Sequence, residues 1–344
     1  MKTNAINLAE RRILPDWLVR KGIQGLMGKK LKEQNSLYEP DSSIRKLSWV
    51  QSMDQSPLAY FSSKPNAQHY EVPPQFFKEV LGPRMKYSSC LWESGTTDLR
   101  EAENQMLNLT TKRSRIKDGM RVLDLGCGWG SFSLYIAENF PNCKIVSVSN
   151  SKDQGNYIEE KCRSLGLKNV SHIKADMNEF DTDLLFDRVV SIEMFEHMRN
   201  YRLLLRNIAR WLTDSGQVFL HFFCHRDYAY PYEINGDSDW MTRYFFTGGM
   251  MPSYDLLEYF QDDLVLKENW KVNGYHYEKT CRTWLNNQDN SRHIIMDIFR
   301  NFYGEKANLW YNRWRIFWMA CEELFAYNCG KEWFVGHFIM EKKL

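Results

Sequence analysis

No run of apolar residues in this 344-residue chain is long enough to cross a bilayer, and the opening MKTNAINLAERR lacks the apolar stretch of a secretion signal. The expected location is therefore cytoplasmic, with at most peripheral membrane contact. Charge of one sign is missing too. Lys and Arg number 45 against 43 Asp and Glu, with neither a basic block nor an acidic tail, so nucleic acid is not indicated as a partner. The eight cysteines, at 90, 127, 143, 162, 224, 281, 321 and 329, form no C-x-x-C pair. They are expected as free thiols, several of them small core residues, and no metal site is expected from them. The chain also lacks internal repeats and low-complexity tracts. What remains is enough apolar sequence to bury the core of one large domain or two intimate ones.

The most informative stretch present is VLDLGCGWG at 122–130, followed at once by the helical pattern SFSLYIAENF. That order reads as strand, glycine turn, helix. Asp124, Gly126, Gly128 and Gly130 mark where a nucleotide ligand meets backbone, because glycine accepts positive φ and leaves no Cβ between peptide and ligand. The spacing is G-x-G-x-G, not the G-x-G-x-x-G of dinucleotide enzymes, which leans away from NAD or FAD and toward S-adenosylmethionine. Further on, KIVSVSNS at 144–151 is a short strand whose end faces the ribose in such sheets. The usual acid is replaced there by Ser149 and Asn150, followed by Lys152, Asp153 and Gln154, whose polar side chains can bond ribose or a methionine carboxylate. The plain alternative is an Asn-Ser turn that touches nothing.

Three parts follow from the patterning. Residues 1–75 form an N-terminal helical appendage around LPDWLVRKGIQGLMGKKL and SIRKLSWVQSM, with ten Lys or Arg against five Asp or Glu in the first fifty residues. A solvated helix packed on the core is expected there, in preference to a membrane-surface or substrate-capping helix, because no strongly apolar face continues for long. Residues 76–225 alternate strand and helix as a Rossmann-like, doubly wound, mostly parallel α/β sheet. RVLDLGCG, KIVSVSNS, VSHIKADM, FDRVVSIEM and GQVFLHFFC are strands one to five. Residues 226–344 are expected to form a substrate-binding cap and to complete the sheet.

In an open sheet of this kind ligands lie beyond the carboxyl ends of the strands where the order reverses, here strands one and four. Just after Ile192 stand Glu193, Met194, Phe195, Glu196, His197 and Met198, a cluster of proton-accepting groups. Acids at a helix N-terminus are the structural alternative. E-x-x-E-H lacks the distal ligand of the zincin pattern, so no metal is expected. Asp176 and Met177 close strand three where such sheets meet adenine, although a strand-end Asx turn over core would look the same.

Eight of the twelve tryptophans lie beyond residue 200. Trp310, Trp314 and Trp318 recur every four residues, with Phe317, Cys321 and Phe325 continuing the stripe. Such a stripe packs as core or, in a methyltransferase, lines a cavity for a flat cation. Trp314 and Trp318, with Tyr230, Tyr232, Trp240 and Trp333, are the candidate wall of a substrate site, whereas an acyl tunnel should show more Leu, Ile and Val. GGMMPSYDLL at 248–257 reads as a flexible turn, then Pro252 and a serine N-cap before a helix.

Taken together, HYEVPPQFFKEVLGPRMKYSSCLW, GCGWGSF, SNSKDQ, FDRVVSIEMFEHM and RYFFTGGMMPS resemble the cyclopropane-fatty-acid-synthase superfamily of S-adenosylmethionine enzymes from about residue 68 onward. EHMRNY, CHRDYAYPYE and DSDWMTRYFF resemble its coclaurine N-methyltransferase-like, amine-methylating branch. The resemblance implies cofactor contacts at Tyr87 and Ser88, around Gly126, at Asn150, Gln154, Asp176 and Met177, and near Ile192. It implies catalytic or substrate-positioning roles for Glu193, Glu196 and His197. In the lipid branch it further implies that the acid matching Glu196 helps hold a bicarbonate acting as base, which leaves open whether an anion assists here.

The chemistry stands without the resemblance. A methyl sulfonium needs an in-line nucleophile free of its proton, and an amine in water is mostly protonated. Glu193, Glu196 and His197 can attract the ammonium, take its proton and stabilise the charge. A small-molecule amine is thus the expected partner, as substrate of an N-methyltransferase. An unsaturated phospholipid acyl chain, methylated or cyclopropanated at a membrane surface, is the alternative, and a homodimer is left open. A cofactor-binding protein without catalysis fits the intact EMFEH segment poorly.

Overall fold

Strand β1 (Arg121–Leu125) is the third strand in a seven-stranded sheet of order β3-β2-β1-β4-β5-β9-β8, in a computed structural model that describes residues 5–38, 42–60, 72–234, 236 and 239–343. Its neighbours β2 (Lys144–Ser149), β3 (Val170–Lys174), β4 (Phe186–Ile192) and β5 (Leu212–His225) run parallel, while β9 (Trp333–Lys342) returns antiparallel along β5 and carries β8 (Leu264–Val272) at the edge. A separate two-residue pair joins β6 (Tyr230–Pro231) to β7 (Met250–Met251). The doubly wound α/β class read from the sequence is the one observed.

Helices flank the strands in chain order: α1 (Ala5–Glu10), α2 (Asp16–Tyr38), α3 (Ser42–Asp54), α4 (Pro74–Val80), α5 (Leu99–Arg113), α6 (Ser131–Asn139), α7 (Lys152–Leu165), α8 (Tyr201–Trp211), α9 (Trp240–Tyr244), α10 (Tyr275–Asn290), α11 (Arg292–Tyr303) and α12 (Ala307–Ala326). Local chemistry sets several of their ends. Asp98 accepts from the Glu101 N–H at the start of α5, Ser151 from that of Gln154 at the start of α7, and Asn200 from that of Leu203 at the start of α8. Gly166 closes α7 at φ 68°.

Alternation along β1 divides the sheet's two faces. Leu123 and Leu125 pack with Val148, Val189, Leu204, Ile208 and Leu220, whereas Val122 packs with Leu107, Phe132, Ile136 and Ile145. Each such aliphatic side chain contributes about 1.5–3 kcal/mol when buried, so both faces must be covered, and helices cover both. A larger cluster rich in aromatic rings joins α4, α10, α11 and α12.

Two expectations are corrected. The segment after Met251 holds no serine-capped α-helix: the Ser253 hydroxyl donates to Asp255 (2.7 Å), and Asp255 precedes a four-residue 3-10 turn, Leu256–Tyr259. Strand three stops at Lys174, three residues short of Met177, because Asp176 closes an Asx turn by accepting from the N–H of Asn178 (2.9 Å). All eight cysteines are free thiols, and no helix among the described residues is long and apolar enough to cross a membrane.

Charge pairs clamp the N-terminal helices to α12. The Arg315 side chain, 4% exposed, holds Asp16 (2.7 Å) and Asp289 (2.6 Å), and Arg20 holds Glu322 (2.6 Å) and Glu323 (2.7 Å). Arg315→Met is expected to lower stability by about 1–3 kcal/mol, discounted for the half-exposed Asp16, and to speed proteolytic cutting between α1 and α2. A thermal melt and a timed digest check this. Unchanged cutting would mean that packing and the Arg20 pairs hold the helices without Arg315.

Candidate active site

β1 pairs with both β2 and β4, so the turn after Leu125 and the residue after Ile192 emerge side by side. Gly126, Gly128 and Gly130 stand at φ 80°, 52° and 75°, a region that disfavours any side chain. The N–H groups of Gly126 and Cys127 both donate to the carbonyl of Val148 (3.0 and 2.9 Å), which bends the turn over β2. A Cβ on Gly126 would lie 2.9 Å from the Met194 side chain and one on Gly130 2.6 Å from Ile158, whereas one on Gly128 would meet nothing within 4 Å. Packing therefore demands the outer two glycines, and the middle one opens on space.

Asp124 lies beneath the turn, not on its open side. It is fully buried, accepts from the Ser133 hydroxyl (2.6 Å) on α6, and burial pushes its carboxyl up to about 6. Asn150 follows β2, and Gln154 on α7 is buried with an amide nitrogen that has no hydrogen-bond partner among the described residues. An open-backed glycine at the turn after β1 and an orphaned buried amide on the helix after β2 fit an elongated polar ligand such as S-adenosylmethionine. Asp176 is half-buried in its Asx turn, Met177 packs on the core with Val148 and Phe180, and Ile192 is half-buried at the end of β4. Ser88 accepts from the buried Lys86 ammonium (2.5 Å), and the Tyr87 ring touches Phe77, Trp284 and Trp318.

The acid and imidazole cluster divides. Glu193 adopts φ 50°, a strained backbone for a residue with a Cβ, with its N–H on the His221 carbonyl (2.7 Å). Its Oε1 accepts from the Ser89 N–H (2.9 Å) and lies 3.3 Å from His221 Nε2, while Oε2 accepts from the Tyr277 hydroxyl (2.5 Å). Burial pushes this carboxyl up, and the Lys86 charge and the Tyr277 hydroxyl pull the other way. These donors would suit a bound anion, and Glu193's own carboxylate occupies them. His197 sits in a three-residue 3-10 turn, its ring stacked on Phe246 at 5.6 Å, and burial pushes it down to about 4. Glu196 is fully buried and does not reach the cavity wall: Oε1 accepts from the Phe223 N–H (2.8 Å) and Oε2 has no hydrogen-bond partner among the described residues. Burial and the neighbouring Glu193 push its carboxyl well up, toward the protonated form.

Glu193 and His197 open into a cavity of about 1460 Å³. Tyr230, Tyr232, Trp240, Trp318 and Trp333 line it, as the sequence suggested; Trp314 does not. One turn from Trp318, Trp314 points instead at Phe76, Phe77 and Phe245, and is core. Phe317, Cys321 and Phe325 belong to the wall and Trp310 does not. Sequence reasoning missed Tyr277 and Trp284 on α10, Phe223 and His221 on β5, and Phe246, which lies in the quoted RYFFTGGMMPS segment but, like the others, arrives at the site through tertiary packing. It also ranked the N-terminal appendage as a packed, solvated helix, whereas Leu18, Ile23, Leu26 and Leu37 of α2 form an aliphatic outer wall of the cavity. No group of three or more His, Cys, Asp or Glu that could hold a metal occurs among the described residues.

The profile of the mycolic acid cyclopropane synthetase family matches residues 61–332. (S)-coclaurine N-methyltransferase of Thalictrum flavum subsp. glaucum is 36% identical over 97% of this chain and 94% of that protein. The enzyme of the same name from Papaver somniferum is 36% identical over 99% of each. A crystal structure of coclaurine N-methyltransferase bound to N-methylheliamine and SAH superposes with a TM-score of 0.92 at 35% identity, covering 97% of this chain and 98% of that one.

With no ligand added, the His197 ring is expected to titrate at about 4 and to stay uncharged down to about pH 5, read from its ring resonances by NMR. A midpoint near the ordinary value would show the ring to be hydrated.

Proposed function

The chain belongs to the mycolic acid cyclopropane synthetase family and is an S-adenosylmethionine-dependent methyltransferase, and from that premise we propose that it methylates the nitrogen of a small, alkaloid-like amine. The observation that carries the proposal is the set of rings around the cluster. Phe246 stacks on His197 and touches Tyr232, Phe223 and Phe317, while Tyr277 bonds Glu193 and stacks on Phe325 at 4.3 Å. Aromatic faces beside one carboxylate attract and orient an ammonium.

When bound, S-adenosylmethionine supplies a methyl on a sulfonium, electrophilic enough to need only a free lone pair. The residues act on the amine. An entering ammonium must lose a proton, and a ring that titrates at about 4 is too weak a base to take it readily. Glu193, pushed up by burial and held by three elements, is the better acceptor, and His197 then serves as a hydrogen-bond acceptor that turns the lone pair. As positive charge grows on nitrogen, the faces of the surrounding rings stabilise it. Gly126, Gly128, Gly130, Asn150, Gln154, Asp176 and Met177, with Tyr87 and Ser88, would hold the cofactor where the open glycine and the orphaned Gln154 amide lie.

A second reading, modification of an unsaturated acyl chain, draws on the aliphatic outer wall from α2. Methyl transfer from labelled cofactor to a panel of primary, secondary and tertiary amines, run beside unsaturated phospholipid vesicles, separates the two. N-methylated product supports the amine reading, and label in lipid alone overturns it.

Glu193→Gln is expected to lower kcat by about 100-fold or more with SAH affinity nearly unchanged, whereas Glu196→Gln, which keeps the shape of an acid that burial pushes toward its protonated form and that does not reach the cavity, should stay within about threefold. Rate assays paired with calorimetric titration decide, and equal losses in the two variants would put Glu196 in the chemistry. Gly128→Val should abolish SAH binding, because a branched side chain fills the open side of the turn at φ 52°. A folded variant with undiminished affinity would place the cofactor elsewhere.

A further inference from the structure

Four side chains run in line across the sheet from its edge to Glu193. Arg113, half-buried at the end of α5, lies with its guanidinium 4.8 Å over the Trp270 ring of β8. Its Nη1 is 2.8 Å from Nδ1 of His337. Nε2 of His337 is 2.9 Å from Nδ1 of His221, directly opposite it in the β5–β9 register. Nε2 of His221 is in turn 3.3 Å from Oε1 of Glu193. Both histidines are fully buried.

Proton positions along this row follow from its first member. A guanidinium has five donors and no acceptor, so Nδ1 of His337 must present a lone pair. A neutral His337 then carries its hydrogen on Nε2 and donates to Nδ1 of His221. His221, neutral in turn, carries its hydrogen on Nε2 and presents it to Glu193. Both rings are pushed well down by burial, and each also faces positive charge, so neither gains a second proton at pH 7. Without the guanidinium either ring could flip its tautomer. His221 would then aim a lone pair at Glu193, an arrangement that favours the protonated acid.

We propose that Arg113 is a positioning residue which, through His337 and His221, fixes one tautomer of each ring so that Glu193 always meets an N–H and is kept as the carboxylate. The proposal rests on the reading of Glu193 as proton acceptor. It also gives the row a direction. Because the terminal guanidinium cannot take a proton, one accepted at Glu193 cannot leave through the two rings, and its exit is the cavity beside His197.

Other groups face Glu193 and remain when Arg113 is changed. Lys86 and the Tyr277 hydroxyl favour the anion, the neighbouring Glu196 disfavours it, and His197 is neutral. The thiols of Cys90 and Cys281 stay protonated because burial pushes both up. The effect of the lock is therefore partial. Losing a donor to the charged form raises the carboxyl's titration point, so activity that needs the carboxylate is lost from a higher pH as pH falls.

In Arg113→Met the rate at pH 6 relative to pH 8.5 is expected to fall about threefold to tenfold beyond wild type, with the alkaline rate and SAH affinity little changed. Arg113→Lys keeps a donor and should restore the wild-type profile. Nitrogen-15 NMR of the ring nitrogens, without substrate, should show both histidines protonated at Nε2 in wild type and Arg113→Lys, and mixed tautomers in Arg113→Met. If Arg113→Met melts too early to assay, Arg113→Leu, which likewise removes the donor, takes its place. Unaltered tautomers in the Met or Leu variant, or a pH profile parallel to wild type, would overturn the lock. Since the tautomers are read without turnover, a failure of the amine assay alone would fault the functional reading and leave the lock standing.

Discussion

A carboxylate buried beside a cavity must be surrounded by donors or lose its charge, and at Glu193 that requirement organises separate pieces of the chain. The residue sits at φ 50°, a conformation with a cost of about 1–3 kcal/mol that persists only where the surroundings fix it. Here they do. The Ser89 backbone, Tyr277 on α10 and His221 on β5 converge on the two carboxylate oxygens, and Lys86 places a buried ammonium behind them. Remove the strained backbone and the carboxylate would follow the line of β4 away from these donors. The active conformation is thus a property of tertiary contacts imposed on a strand end.

The same logic explains which parts of the site were legible in the sequence. The glycine turn was legible because its first demand is local, positive φ at 126, 128 and 130; the tertiary contacts with Met194 and Ile158 that leave no room for a Cβ at the outer two add to it. The five parallel strands were legible because a two-sided buried strand is a short apolar run closed by turn residues. That Glu193 and Glu196 part company was not legible, because Glu193 leaves β4 at φ 50° and only Phe195–His197 form a 3-10 turn, which sends Glu196 to the Phe223 N–H. Trp314 and Trp318 are equivalent in a four-residue repeat, and only the position of α4 makes one core and the other wall. The N-terminal helix misled for a related reason: Leu18, Leu26 and Leu37 border a cavity, so they never had to form the continuous apolar stripe that a core contact requires.

The donors around Glu193 are themselves supported, and much of the support comes from one helix. Near the middle of α5, Glu103 is fully buried and accepts from the N–H groups of Arg84 (3.0 Å) and Lys86 (3.2 Å). Those two bonds fix the path of the loop that carries Tyr87, Ser88 and Ser89. Lys86 folds back within the same loop, donating to the Ser89 carbonyl (2.7 Å), so the N–H that Ser89 offers to Glu193 is held from both sides. Burial pushes Glu103 up to about 7, close to the point where it would lose its charge, and the two backbone donors and the Lys86 ammonium oppose that loss.

At its far end the same helix presents Arg113 to His337. One rigid element therefore reaches Glu193 by two routes, through the 84–89 loop on one side and through paired histidines on the other. Helices hold distances better than loops do, and a carboxylate whose charge depends on several donors at once is sensitive to any one of them drifting. Placing both supports on α5 makes their separation a fixed length of helix. The cavity wall, by contrast, is assembled from α2, α10, α12 and the segments around Tyr232 and Phe246, elements joined by ring contacts that tolerate substitution far more readily than a hydrogen-bonded charge does. The proton-accepting centre is thereby held constant by the sheet and α5, while the shape of the space in front of it is set by side chains free to vary independently.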